Sequence, residues 1–387
     1  MDIKNIIAAI SLSALVLILY SLFFVPPPPD LNEQKNKIEN TKNNSDISSP
    51  KIEKKVETKV ISRDSALDLS ERIKIENNNI IGSISLKGAI IDDLIFKKYT
   101  TELNSNQNVI LLNPTSMEEG YFVESGWSST DKNIELPNNS SIWTARGNNK
   151  LTPNNPVVLE WINKQGIIFT NTYKLDEKYL VKLNQKIENK SDSTFDFYPY
   201  AQIIRNTKPE VTNFYILHEG MLGVFNDELE EQDYDDIDDK KFSVNSSDGW
   251  LGITDKYWIT ALVPDKNKNF KSEFEYENRY KANFIITDPY ESKPNQTVSN
   301  DIKIFVAAKE VEVIDGYAES ENINKFDLAI DWGWFYFFTK PLFFVIDYFF
   351  KLTGNFGIAI ILITACIRII FFPLANYSFR SMAKMKI

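Results

Sequence analysis

With 387 residues and a formal charge of −10, the chain can build one large domain or two ordinary ones with a sizeable core. The acidic balance argues against a nucleic-acid binder, which needs a basic excess. One Cys and one His leave no intramolecular disulfide and no Cys/His metal site, and a Ser-His-Asp hydrolase would rest on His218 alone.

The charge is unevenly spread. Residues 26–333 carry a net −15, whereas the two ends, 1–25 and 334–387, carry a net +5. An acidic middle between apolar, slightly basic ends implies a soluble domain tethered to a membrane at both ends.

In chain order, residues 6–25 come first, an uncharged run of 20 rich in Ile, Leu, Ala and Val. Such a run crosses a hydrocarbon core of about 30 Å at about 1.5 Å per residue. It leads straight into Pro26-Pro27-Pro28-Pro29 rather than a small-residue cleavage site. Residues 1–25 therefore read as a retained transmembrane anchor rather than a signal peptide. Residues 26–69 are polar, mixed in charge and free of aromatic residues, and read as a disordered tether.

From 70 to 308 the apolar residues alternate. Ile73 and Ile75, Ile84 and Leu86, Tyr179, Val181 and Leu183, Phe270, Phe274 and Tyr276, and Ile302, Ile304 and Val306 repeat with period two. Alternation of this kind marks half-buried antiparallel strands, so the stretch reads as one large β-sandwich. Trp127, Trp143, Trp161, Trp250 and Trp258 are core or cleft aromatics. The acidic run at 227–239 (DELEEQDYDDIDD) lacks the Gly of a calcium loop and reads as an exposed loop. His218 reads as structural rather than catalytic.

Residues 309–333 read as a helical connection back to the membrane. Residues 334–351 (WFYFFTKPLFFVIDYFFK) are aromatic, with Lys340, Asp347 and Lys351 at i, i+7 and i+11. That spacing places the three charges on one helical face, as in an amphipathic helix lying in the membrane interface. The alternative is a third span that forms a hairpin with the next one. Pro341 would kink such a helix or begin its main segment.

Residues 355–376 form the second transmembrane segment, with Arg368 as its only charge. Arg380, Lys384 and Lys386 follow without a nearby acid, which places that flank in the cytoplasm. The large domain then lies outside, and both ends of the chain are cytoplasmic. An Arg near mid-membrane costs about 2.5–3.5 kcal/mol on insertion scales and must face water, a partner or a polar cavity, the alternative being that its side chain snorkels toward an interface. Thr364 sits one turn earlier on the same face. Pro373 can break or bend the helix.

GNFGIAIILITACIRIIFFPL followed by SMAKMK resembles the second transmembrane helix and following cytoplasmic stretch of the YidC family of bacterial membrane protein insertases. Trp332-Gly333-Trp334 and the aromatic helix after it are similar to that family's periplasmic interface helix. The resemblance implies a membrane-anchored, all-β periplasmic ectodomain (a β-supersandwich) plus α-helical transmembrane segments in the bacterial inner membrane. It implies a hydrophilic groove whose Arg corresponds to Arg368 and whose lining Thr corresponds to Thr364. The implied partners are nascent membrane proteins, the Sec translocon, the ribosome and the lipid bilayer, with no direct nucleic-acid contact, no cofactor and no metal. Since the family core has five transmembrane helices, residues 377–387 read as the start of a cytoplasmic loop, and the chain as a fragment or a truncated product. A double-anchored periplasmic binding or scaffold module is the competing reading.

Overall fold

The computed structural model describes residues 61–102, 104–211, 217–333 and 335–384. The anchor at 1–25, the tether up to residue 60, Trp334 and the last three residues lie outside the described residues.

Two large sheets make the domain. The first, of eleven strands, runs in the order Phe242–Ser246, Phe270–Tyr276, Tyr280–Ile286, Phe195–Arg205, Tyr121–Ser129, Ile90–Thr100, Ile80–Ser85, Arg72–Glu76, Lys150–Leu151. Tyr290–Ser292 and Asn108–Leu112 pair off that path. The second, of nine strands, runs Glu228–Asp233, Gly220–Phe225, Gly249–Thr254, Trp258–Val263, Thr297–Ala308, Leu180–Asn189, Ile167–Leu175, Val157–Ile162, Thr144–Arg146. Neighbours are antiparallel except Arg72–Glu76 with Lys150–Leu151, where Lys74 faces Lys150.

The alternating residues explain the packing. Ile73 and Ile75 point inward while Arg72 and Lys74 do not, and Val181, Leu183, Ile302 and Ile304 do the same on the facing sheet. Together they supply one apolar core between the sheets. Tyr276 departs from the pattern: it is exposed and tilts against Tyr280, centroids 4.7 Å apart, because its strand overruns the edge of the core. The central strand Phe195–Arg205 is buried on both faces, and Ile204 joins Ile90 and Phe122 in a small second cluster. Trp127, Trp143 and Trp250 are buried, and Trp258 stacks on Phe96 at 4.8 Å, so these rings build the core.

Two expectations need correction. The tether does not stay unstructured to residue 69, because α1 (Arg63–Leu67) is capped by the Ser62 hydroxyl and its Arg63 guanidinium reaches Asp93 at 2.5 Å. The acidic run is not a loop. Residues 228–233 form the edge strand beside Gly220–Phe225, and residues 234–239 form the short helix α2 (Tyr234–Asp239). Tyr234 and Ile237 anchor α2 by burial, and charged side chains guard the edge strand against pairing with another chain. His218 is held by Asp233 at 3.0 Å and the Met221 carbonyl at 3.0 Å, a structural setting.

The chain leaves the sandwich through α3 (Val311–Ser320) and a 3-10 turn, Phe326–Ala329. It continues into α4 (Tyr336–Thr353) and α5 (Phe356–Lys384). Pro341 lies inside α4 near its start, and α5 runs unbroken through Pro373.

Candidate functional site

The site is built on the path from the sandwich to the apolar helix. Val313, Ile314 and Tyr317 bury one side of α3 on the sandwich, with Tyr317 and Phe305 rings 4.8 Å apart. At the start of α3, Glu310 accepts hydrogen bonds from the hydroxyls of Tyr99 at 2.8 Å and Tyr179 at 3.0 Å. Burial pushes the Tyr99 phenol up to about 12, and Glu310 adds to the push. At the far end, Glu321 pairs with Lys182 at 2.7 Å and Lys303 at 3.3 Å. The 3-10 turn is pinned by Phe326, whose ring meets Trp250 at 5.2 Å and Phe305 at 4.8 Å.

The exposed side of α3 is acidic, and two lysines of α4 reach it. Lys340 reaches Asp315 at 3.0 Å and Asp327 at 2.9 Å. Its ammonium also sits 5.7 Å over the Trp332 ring, and the Trp332 indole donates to the Asp327 carbonyl at 3.2 Å. Burial pulls the Lys340 ammonium down, but Asp327 and Asp315 outweigh it and hold it above its ordinary value. Lys351 pairs with Asp347 at 2.8 Å and Glu312 at 2.5 Å, which raise its pKa. All three charges picked out by spacing thus share one side of α4. The acids opposite, Glu312, Asp315 and Asp327, were not singled out from sequence. The signal was available, since Glu312 and Asp315 stand three apart around the apolar Val313, Ile314 and Tyr317.

The rest of α4 exposes rings and aliphatic chains: Phe337, Phe338, Phe344, Val345, Tyr348 and Leu352. Among the described residues, α5 over Phe356–Arg380 is the one helix long and apolar enough to cross a membrane. Its covered residues, Ala359, Leu362, Ile363, Cys366 and Ile367, recur on one side, where α5 packs with α4. Thr364 and Arg368 are exposed on another side. At about 100° per residue, Arg368 lies about 180° from Ala359. The Thr364 hydroxyl donates back to the Ile360 carbonyl at 2.7 Å, which satisfies its proton and leaves its oxygen lone pairs outward. Arg368 has no hydrogen bond or ion pair with any described residue. Thr364 and Arg368 therefore share an uncovered side of α5, and α4 contributes no wall to it.

A family model described as YidC periplasmic domain matches residues 72–345. A membrane protein insertase YidC from Pelagibacter ubique (strain HTCC1062) is 55% identical over 390 residues, covering 100% of this chain and 69% of the relative. The protein of that name from Rickettsia bellii (strain OSU 85-389) is 40% identical over 395 residues, with the same coverage. A galactose mutarotase related enzyme from Lactobacillus acidophilus is similar in structure at a TM-score of 0.43 and 12% identity, covering 61% of this chain and 97% of that one. That likeness says nothing of activity.

Proposed function

The chain belongs to the YidC family of membrane protein insertases, and on that premise we propose that Arg368 and Thr364 form part of a hydrophilic groove through which it assists insertion and folding. As a member, it is an inner-membrane protein with a periplasmic β domain. The relatives named above are insertases, and we read this chain likewise as doing no bond chemistry and needing no cofactor.

One observation carries the groove reading. Arg368 stands twelve residues from each end of the Phe356–Arg380 span, on a side that nothing described covers. Twelve residues correspond to about 18 Å of helix, too far for the side chain to reach either surface. A guanidinium left in lipid costs about 2.5–3.5 kcal/mol or more, so a wet cavity or a partner must face it.

In this reading the charge transiently attracts a polar or acidic segment of a nascent membrane protein. The segment then crosses only part of the bilayer, and the apolar stretches beside it pass into lipid along α5. The exposed rings of α4 lie in the outer interface of the bilayer, and the basic Arg380 end of α5 is cytoplasmic. Together with an N-terminal anchor, this gives a multi-pass protein with both ends of this chain inside. The Sec translocon and the ribosome are partners at other surfaces.

The test replaces Arg368 with Ala in the full-length protein in proteoliposomes. Insertion of substrates with acidic translocated segments should fall, and that of substrates with neutral segments should fall less. Equal insertion of both classes by the variant and the parent would remove Arg368 from the mechanism.

A further inference from the structure

The two lysines of α4 do more than solvate one side of an interface helix. Lys340 stands between Asp315 and Asp327 while Lys351 binds Glu312, so α4 is gripped at two points eleven residues apart. Thr339 adds a third tie, donating to the Trp332 carbonyl at 2.7 Å, and Trp332 packs its ring on Phe343 at 5.6 Å. A helix held at two points on one side cannot turn about its axis without breaking both.

The grip is itself fixed to the sandwich. α3 is bound by the Glu310–tyrosine pair at one end and the Glu321–lysine pairs at the other. Toward the membrane, the link from α4 to α5 is short and stiff. Gly354 takes a left-handed conformation (φ 65°) that closes α4, with its N–H on the Phe350 carbonyl at 2.7 Å. The Asn355 side chain then caps α5 through the Gly357 and Ile358 amides at 2.9 and 3.2 Å, and Phe350 meets Phe356 at 6.0 Å. Rotation of α4 is thereby passed to α5.

We propose that Lys340 and Lys351 are positioning residues, which seat α4 on the acidic side of α3 and so set the direction in which Arg368 and Thr364 face. The periplasmic domain acts as a rotational stop for the groove helix rather than as a free appendage. This deepens the insertase reading and rests on it for the role of Arg368.

The experiment uses the full-length protein in membranes, with Cys366 as a reporter on the α4 side of α5. A second reporter, Thr364→Cys in a Cys366→Ser background, reads the opposite side. Both are labelled with a water-soluble maleimide, with the seat intact, with Lys340→Glu, with Lys340→Arg and with the charge swap Lys340→Glu/Asp315→Lys. With the seat intact, Thr364→Cys should label and Cys366 should resist. Lys340→Glu should lower the first and raise the second several-fold, and Lys340→Arg and the charge swap should restore both. A limited-proteolysis check that the β domain persists separates rotation from misfolding. Unchanged labelling of Cys366 and Thr364→Cys in Lys340→Glu would overturn the proposal. A Thr364→Cys that stays unlabelled with the seat intact would instead sink the groove reading, and Cys366 would still decide whether the seat sets rotation.

Discussion

Replacing Phe326 with Ala tests whether the connector is part of the sandwich core or merely rests on it. Phe326 is fully buried and meets Trp250 edge-on (84°) and Phe305 at a tilt. A buried Phe removes about 150–200 Å² from water, worth about 4–5 kcal/mol at 25 cal/mol per Å². Phe→Ala measured in other cores costs about 3–5 kcal/mol, and the methyl that Ala retains trims the gain, so a loss of about 4 kcal/mol is expected here. That is a large share of a total stability of about 5–15 kcal/mol. Phe326→Leu keeps most of the volume and should cost under about 1.5 kcal/mol. Urea unfolding of a soluble fragment spanning residues 61–330, followed by tryptophan fluorescence, measures both. The variant should also free Asp327, the neighbour of Phe326 that holds Lys340. A loss below about 1 kcal/mol for Phe326→Ala, within the range of ordinary surface changes, would refute the claim that this ring locks the connector to the core.

Other outcomes follow from the same geometry. The folded domain holds the Tyr99 proton more tightly than the unfolded chain, 10.0 rising to about 12. Its contribution to stability is therefore full below pH 10.0 and lost as pH rises to about 12, and urea midpoints of Tyr99→Phe should decline less steeply over that window. Gly249 has φ +133° and a Cβ there would lie 1.8 Å from the Val224 carbonyl oxygen, so Gly249→Ala should cost well over about 1 kcal/mol, read by thermal melting. Burial pulls the Glu275 carboxyl up, but Lys241 and Lys281 hold it below its ordinary 4.5. Stability from that network is present above pH 4.5 and should fall as pH drops below it, and Glu275→Gln should flatten this acid limb in a pH series of unfolding midpoints.

Much of this protein is local in origin and so legible in a single sequence. The charge-free run around Arg368 and the alternation at Ile73 and Ile75 or Ile302 and Ile304 each report a period set by backbone geometry. Lys340, Asp347 and Lys351 fall on one side of α4 because 3.6 residues make a turn. The β ectodomain and the apolar helix at 356–380 needed nothing more. The acidic run failed because its high charge hid Tyr234 and Ile237, the two side chains that pin it, and because an edge strand needs only its backbone to pair.

Other features depend on residues far apart in the chain. No period predicts that Phe195–Arg205 lies beside Tyr121–Ser129, or that Lys74 faces Lys150. Those pairings arise from burying both sheets in one core. The partners of Lys340 lie 13 and 25 residues away and come together only after α3 has packed on the sandwich. Whether Arg368 lies on the covered or the uncovered side of α5 is likewise a tertiary matter: Ala359, about 180° away around the helix, is buried, and Arg368 is exposed. Composition and period thus determined which described helix is long and apolar enough to cross a membrane and which segments alternate into sheets. The tertiary structure decided which way the charged side of α5 looks, because a helix alone has no preferred rotation until another surface holds it.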